Sequence, residues 1–291
     1  MKISECFKDG RTVFSFEVFP PKKTSSVDTI YSALAEMKEL SPDFISVTYG
    51  AGGNAADTST CDIAAYIQNE LKIPSAAHLT CAYSTKESIL TILDRFKKQG
   101  IENILALRGD VNPDIPRLHD FEYASDLVRF IKENGDFHIS GACYPECHIE
   151  ASGFAEDINN LKIKIEAGAE HLMSQLFFDN ALFYRFREML AVAGITVPVE
   201  AGIMPVTNKK QIERMVSMCG ASLPAKFTKI MQRFENDPEA LQDAGIAYAV
   251  DQIVDLISNG VDGIHLYTMN NPYAAKKITE SIKSLLVRGK M

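Results

Sequence analysis

Eight short apolar, β-branched segments alternate with longer amphipathic ones along this chain, and that alternation constrains the fold more than any other feature. Segments 12–19, 43–49, 75–81, 103–107, 138–144, 171–177, 197–203 and 263–267 read as strands. Helical patterns lie near 27–40, 58–72, 85–99, 123–134, 155–168, 181–193 and 208–219; a longer one spans about 224–259, and 273–287 closes the chain. Strands separated each time by a helix pair in parallel, because a helix-long crossover is what parallel strands need. Eight such units predict an α/β protein, a single (β/α)8 TIM barrel over residues 1–291, with extra helices between strands 7 and 8 and at the C-terminus. Gln99-Gly100-Ile101, Ala167-Gly168-Ala169, Ala193-Gly194-Ile195 and Asn259-Gly260-Val261 each put Gly where a left-handed helix cap falls, shortly before a strand.

Composition narrows the function. A net charge of -8 speaks against a nucleic-acid partner, which would need a basic stripe. The longest apolar runs are strand-sized, so no membrane span is expected. The first ten residues hold no apolar stretch of signal-peptide length, and a cytoplasmic protein is the expectation. The six cysteines include no CxxC pair, and Cys143-x-x-x-Cys147-His148 lacks the partner pair that a structural zinc would need. No metal is expected.

In a parallel barrel, inward side chains alternate along each strand and active sites form at the strands' C-terminal ends. Polar residues late in apolar strands are therefore the candidates. Strand one carries Ser15 and Glu17 in one phase, ahead of Pro20-Pro21. A carboxylate there is costly unless hydrogen-bonded or neutral, so it is either half of an ion pair or a catalytic acid. Strand two offers Ser46 and Thr48 before Tyr49-Gly-Ala-Gly-Gly53, and strand three offers His78 and Thr80. Strand four ends in Arg108-Gly109-Asp110, strand five in Tyr144-Pro-Glu-Cys-His148, strand six near Gln175, and strand eight in His265-Leu-Tyr267. No metal triad, Ser/His/Asp set, GxGxxG or P-loop is evident. Metal-free chemistry on a polar, flat substrate or cofactor is what remains.

Ser15-Phe-Glu-Val-Phe-Pro-Pro21, Ser46-Val-Thr-Tyr-Gly-Ala51, His78-Leu-Thr-Cys81, Ala106-Leu-Arg-Gly-Asp110, Tyr144-Pro-Glu-Cys-His148 and Gln175-Leu-Phe-Phe-Asp179 resemble the motifs of bacterial methylenetetrahydrofolate reductases. Gly202-Ile-Met-Pro-Val206 and His265-Leu-Tyr-Thr-Met-Asn270 extend the likeness to the end of the chain. The resemblance implies an FAD-containing barrel working as a two-step shuttle. NADH or NADPH would reduce the flavin and leave, and methylenetetrahydrofolate would then take the hydride.

Position by position, the resemblance implies FAD contacts at Thr48, Tyr49, Ala51, His78, Arg108, Gly109, Asp110, Tyr123, Ala124, Tyr144, His148, Asp157, Asn160 and Lys164, with Arg108 and Lys164 suited to the pyrophosphate. It implies Glu17 as the general acid that opens the folate's five-membered ring, and Asp110 as the carboxylate that holds the pterin and stabilises the cation. Gln175, Gln211 and Asn271 fall on folate-contacting positions. Two positions depart from the family pattern: Met215 stands where a stacking Phe is expected, and Asn271 where an Arg is. A homo-oligomer is expected. The resemblance leaves open whether the electron donor is NADH, NADPH or a protein partner. Two other readings are a flavin-bearing electron-transfer subunit and a pterin-binding barrel methyltransferase, which would need no flavin.

Overall fold

A computed structural model describes residues 1–21, 28–49, 59–110, 114, 116–208 and 219–286. Its centre is a closed barrel of eight parallel strands paired in chain order: β1 (Val13–Val18), β2 (Phe44–Val47), β3 (Ser75–Thr80), β4 (Asn103–Leu107), β5 (His138–Cys143), β6 (His171–Ser174), β7 (Val199–Ile203) and β8 (Gly263–Tyr267). All eight predicted strands are present. Strands two and six stop short of their apolar runs, where the chain turns towards the next helix, and strand seven begins only after Pro198, which has no N–H for a ladder.

The surrounding helices are α1 (Asp28–Lys38), α2 (Ser59–Tyr66, running on through a wider turn, Ile67–Leu71), α3 (Lys86–Gln99), α4 (Ala124–Asn134), α5 (Phe154–Glu166), α6 (Asn180–Val192), α7 (Ala225–Phe234), α8 (Pro238–Ser258) and α9 (Pro272–Leu286). Helix α3 shows the local logic. Thr85 and Ser88 form a reciprocal capping box at its start, and Gly100 closes it at φ 73°. Gly168, Gly194 and Gly260 also take positive φ, as their placement before strands predicts.

The long helix expected over 224–259 is in fact two. Asp237 caps the second by accepting from the Ala240 amide, and Pro238 takes its first position, where a missing N–H costs nothing. The predicted helix at 208–219 lies almost wholly outside the described residues.

Two apolar layers sandwich the strands. The outward faces pack under the helices as the main core, around Phe16, Ile45, Leu79, Ile104, Ile139, Leu172 and Ile264. The inward faces form a smaller cluster at the barrel's N-terminal end. A 3-10 turn, Ile3–Phe7, closes that end: Ile3 and Cys6 pack on Val13, Phe44, Ala76, Leu105 and Met173. The Ile3 amide donates to Asn103 Oδ1 at 2.8 Å, and Phe7 lies on the His171 ring at 4.9 Å. All six cysteines are free thiols. Among the described residues, no helix is long and apolar enough to cross a membrane.

Candidate active site

The inward phase of the strands carries Ser15, Glu17, Ser46, His78 and His265 towards the C-terminal mouth, so alternation and register together build the site. Glu17 sits opposite Ser46 on one side and Tyr267 on the other. Its side chain is 19% exposed, and Oε2 lies 3.6 Å from Nε2 of both His78 and His265. Burial pushes the His78 imidazole down to about 4, against the pull of Glu17, so His78 is neutral at pH 7. Among the described residues its buried Nε2 has no hydrogen-bond partner.

The loop after β8 fixes Glu17 from behind. Thr268 Oγ1 donates to the Glu17 carbonyl at 2.6 Å. Asn270, at φ 53°, grips the backbone of Phe19 through both amide atoms, at 3.0 and 2.8 Å. Asn is one of the few residues at ease in that left-handed conformation.

Two adjoining cavities of about 400 Å³ each open at this end. They share a wall made of Leu107, Arg108, Ala142, Tyr144 and His148. The first brings together eight of the residues singled out in the sequence: Arg108, Tyr123, Ala124, Tyr144, His148, Asp157, Asn160 and Lys164. The second brings together Glu17, Thr48, His78, Gly109, Asp110 and Gln175, along with the shared Arg108, Tyr144 and His148.

The first cavity carries charges of both signs, Arg108 and Lys164 beside Glu150, Glu156 and Asp157. The Lys164 ammonium donates to the Ala142 carbonyl at 2.6 Å, and burial lowers its pKa. Burial likewise raises the Asp157 carboxyl, which accepts from the His148 amide at 3.1 Å. Arg108 is held by Glu150 through two N–H···O bonds of 2.5 and 2.8 Å, and that pairing raises the Arg108 pKa and lowers that of Glu150. Tyr144 stands edge-on to the His148 ring at 4.6 Å. Between the cavities, Gly109 turns at φ 88°, and any side chain there would press on Thr80 at 3.1 Å.

Two expectations fall elsewhere. Tyr49 packs against the main core and lines neither cavity. Asn271 also lies outside both linings; its Oδ1 accepts from the Ala274 amide at 3.2 Å, capping α9 ahead of Pro272. Ala51, Gln211 and Met215 lie outside the described residues. Sequence reasoning passed over Glu200 and His171, which are wholly buried beneath the site, and Met269, which lines the second cavity. A charge within the apolar strand Val199-Glu-Ala-Gly-Ile203 was the available signal for Glu200.

A parallel eight-stranded barrel with ionisable groups gathered at the C-terminal mouth, beside a second charged cavity, has the architecture of a TIM-barrel enzyme. The family profile described as methylenetetrahydrofolate reductase matches residues 2–283. The chain is 38% identical over 266 residues to 5,10-methylenetetrahydrofolate reductase of Pectobacterium carotovorum subsp. carotovorum, covering 90% of this chain and 87% of that one. The Escherichia coli (strain K12) enzyme of the same name is 38% identical over 261 residues, with the same coverage. The Arabidopsis thaliana protein named methylenetetrahydrofolate reductase (NADH) 1 is 36% identical over 284 residues, 92% of this chain and 48% of that one. Among solved structures, a Clostridium thermocellum protein described as binding two copies of 5-methyl-5,6,7,8-tetrahydrofolic acid superposes with a TM-score of 0.68 at 14% identity, covering 98% of this chain and all of that one. That likeness supports the fold alone. The chain is an enzyme of the methylenetetrahydrofolate reductase family.

Proposed function

We propose that this one barrel, in the cytoplasm, reduces 5,10-methylenetetrahydrofolate to 5-methyltetrahydrofolate with electrons that NADH or NADPH delivers to a bound FAD. The observation that carries the reading is the pair of joined cavities, one with Lys164 in its wall and Arg108 on the boundary, the other with an inward carboxyl between two histidines. An elongated dinucleotide with an anionic middle fits this division. Arg108 and Lys164 would meet the pyrophosphate, while Asp157 and Asn160 would meet the ribose beyond it. The buried Nε2 of His78, without a hydrogen-bond partner among the described residues, and the close approach allowed at Gly109 fit a flat ring system lying over the second cavity. FAD, when bound, supplies the ring that carries hydride from the nicotinamide to the folate.

The protein's own share is acid catalysis, orientation and charge. Opening the folate's five-membered ring means protonating a weakly basic nitrogen, and Glu17, the inward carboxyl of the second cavity, is the group to do so. Its carbonyl is clamped by Thr268, so its side chain enters at a fixed height. Asp110, at the exposed end of β4, would stabilise the cation left after ring opening and hold the pterin. Gln175, whose Oε1 accepts from the Leu176 amide at 2.9 Å, lines the same space and would face each substrate in turn.

The test is to purify the protein and to follow each half-reaction anaerobically by flavin absorbance, with NADH and NADPH in parallel. The expected protein is yellow. In Glu17→Gln, folate reduction should fall by at least about 10²–10⁴-fold, with reduction by the donor retained. A colourless protein that takes up no added FAD would overturn the reading. Equal damage to both half-reactions would instead make Glu17 a structural or flavin-binding residue.

A further inference from the structure

Beneath Glu17 the barrel interior holds a second carboxyl. Glu200 is wholly buried on β7. Its Oε1 accepts the Ser15 hydroxyl at 2.8 Å, and its Oε2 lies 3.0 Å from Nε2 of His171, itself wholly buried. Ser15 Oγ is also 2.6 Å from Nδ1 of His265. The other nitrogen of that ring, Nε2, faces Ser46 Oγ at 3.3 Å and Glu17 Oε2 at 3.6 Å. The fold makes room for Glu200: its register partner is Gly263, where a Cβ would come within 2.6 Å of Glu200 Cγ. A single string of contacts thus runs from His171 through Glu200, Ser15 and His265 to Glu17.

The direction of that string follows from what each group can donate. The hydrogen bond at Glu200 is the one to its Oε1, where the carboxyl oxygen accepts and Ser15 donates. Ser15 has one proton, and it goes to Glu200. Its oxygen is then left to accept, and the 2.6 Å contact with His265 requires a proton on Nδ1. With the ring's single N–H on Nδ1, Nε2 is bare on the side that faces Ser46 and Glu17.

We propose that Glu200 is a positioning residue that acts through Ser15 to hold His265 as its Nδ1–H tautomer, presenting Glu17 with a proton acceptor rather than a donor. The proposal deepens the reading of Glu17 as the acid and rests on it. A bare nitrogen beside Oε2 offers no donor to the carboxylate and can accept from the protonated carboxyl, the form that the acid step uses. Tyr267, opposite Glu17 in the β1–β8 register, gives its hydroxyl proton to the Ser174 carbonyl at 2.8 Å and is not a competing donor. From β3 the neutral His78 faces the same oxygen, and Arg108 and Asp110 line the cavity at the end of β4.

Glu200→Gln reverses the string without changing its shape. The amide oxygen stays on the His171 side and the NH2 turns to Ser15. Ser15 then donates to His265 Nδ1, and the ring proton moves to Nε2. Two-bond ¹⁵N–¹H spectra of ¹⁵N-histidine-labelled protein read the tautomer directly, with His265→Gln identifying the signal. The wild type should show the Nδ1–H pattern, and Glu200→Gln the Nε2–H pattern. Ser15→Ala, which cuts the link and leaves Glu200 in place, should show Nε2–H as well, and it carries the test if Glu200→Gln does not fold.

In the variant, the alkaline limb of the pH profile for folate reduction should move down by about one pH unit, a shift expected when a neutral partner of an ionisable group switches from acceptor to donor. Flavin reduction by NADH should keep its profile. An Nε2–H pattern in the wild type, or a His265 signal and a pH profile unchanged in the variants, would overturn the proposal. If the wild type shows Nδ1–H yet reduces no folate, the functional reading fails while the tautomer assignment stands.

Discussion

Acid should weaken this protein well before its carboxylates are neutralised. His78 and His138 are both buried, and burial pushes each from the ordinary 6.5 down to about 4. The His138 ring stacks at 6.1 Å on His171, and its nearest carboxylate, Glu170, is 3.7 Å away. Between pH 6.5 and 4 the unfolded chain takes up protons at these positions and the folded chain does not. Stability therefore falls as the pH drops through that window and is unaffected by these groups above it.

At pH 5 an imidazole titrating at about 4 in the folded state and at 6.5 in the unfolded one has cost about 2 kcal/mol relative to pH 7. Two such groups remove about 4 kcal/mol, a large part of the roughly 5–15 kcal/mol typical of folded proteins. The Asp157 carboxyl, pushed up by burial, works in the opposite sense and cancels when two variants are compared. The assay is urea unfolding of wild type and His138→Leu at pH 7 and pH 5. His138 opens β5 at the closed end of the barrel, so the substitution leaves the mouth alone. The variant should lose about 2 kcal/mol less than the wild type over this interval. Equal losses would show that His138 is not held neutral by burial.

Two further outcomes are expected. Glu150→Gln frees Arg108 from a partner that is 53% exposed, a pair worth about 0.5–1 kcal/mol, so FAD should bind about two- to fivefold more tightly in a flavin-fluorescence titration; weaker binding would make Glu150 a support that orients Arg108. Asn271→Ala removes the cap of α9 and should lower stability by about 1 kcal/mol in thermal unfolding, with FAD affinity unchanged.

Much of the barrel was legible because local chemistry announces it. β-Branched runs ending in polar residues marked the strands, and Gly100, Gly168, Gly194 and Gly260 marked where helices turn back. Asp237-Pro238 carried an equally local signal for the break between α7 and α8, yet the apolar periodicity on both sides masked it. Phase along β1 correctly turned Ser15 and Glu17 the same way. Phase gives the direction of a side chain and not its partner. The contact of Ser15 with Glu200 joins residues 185 apart, and that of Ser15 with His265 residues 250 apart, so the polar interior became visible only when the barrel closed. Asn271 shows the converse. Its neighbour Pro272 was a sign of a helix start, and the structure gives that local role to its side chain.

The turn Ile3–Phe7 gives the molecule a floor. Ile3, Cys6 and Phe7 pack into the N-terminal end, Met173, His171 and Glu200 fill the interior above them, and both cavities open at the far end. Under the proposed function, the nicotinamide and the folate would then compete for one entrance. The spent donor has to vacate before the acceptor can arrive, and an excess of either should jam the other's turn. Queueing at a single door would thus follow from a filled interior with a floor beneath it.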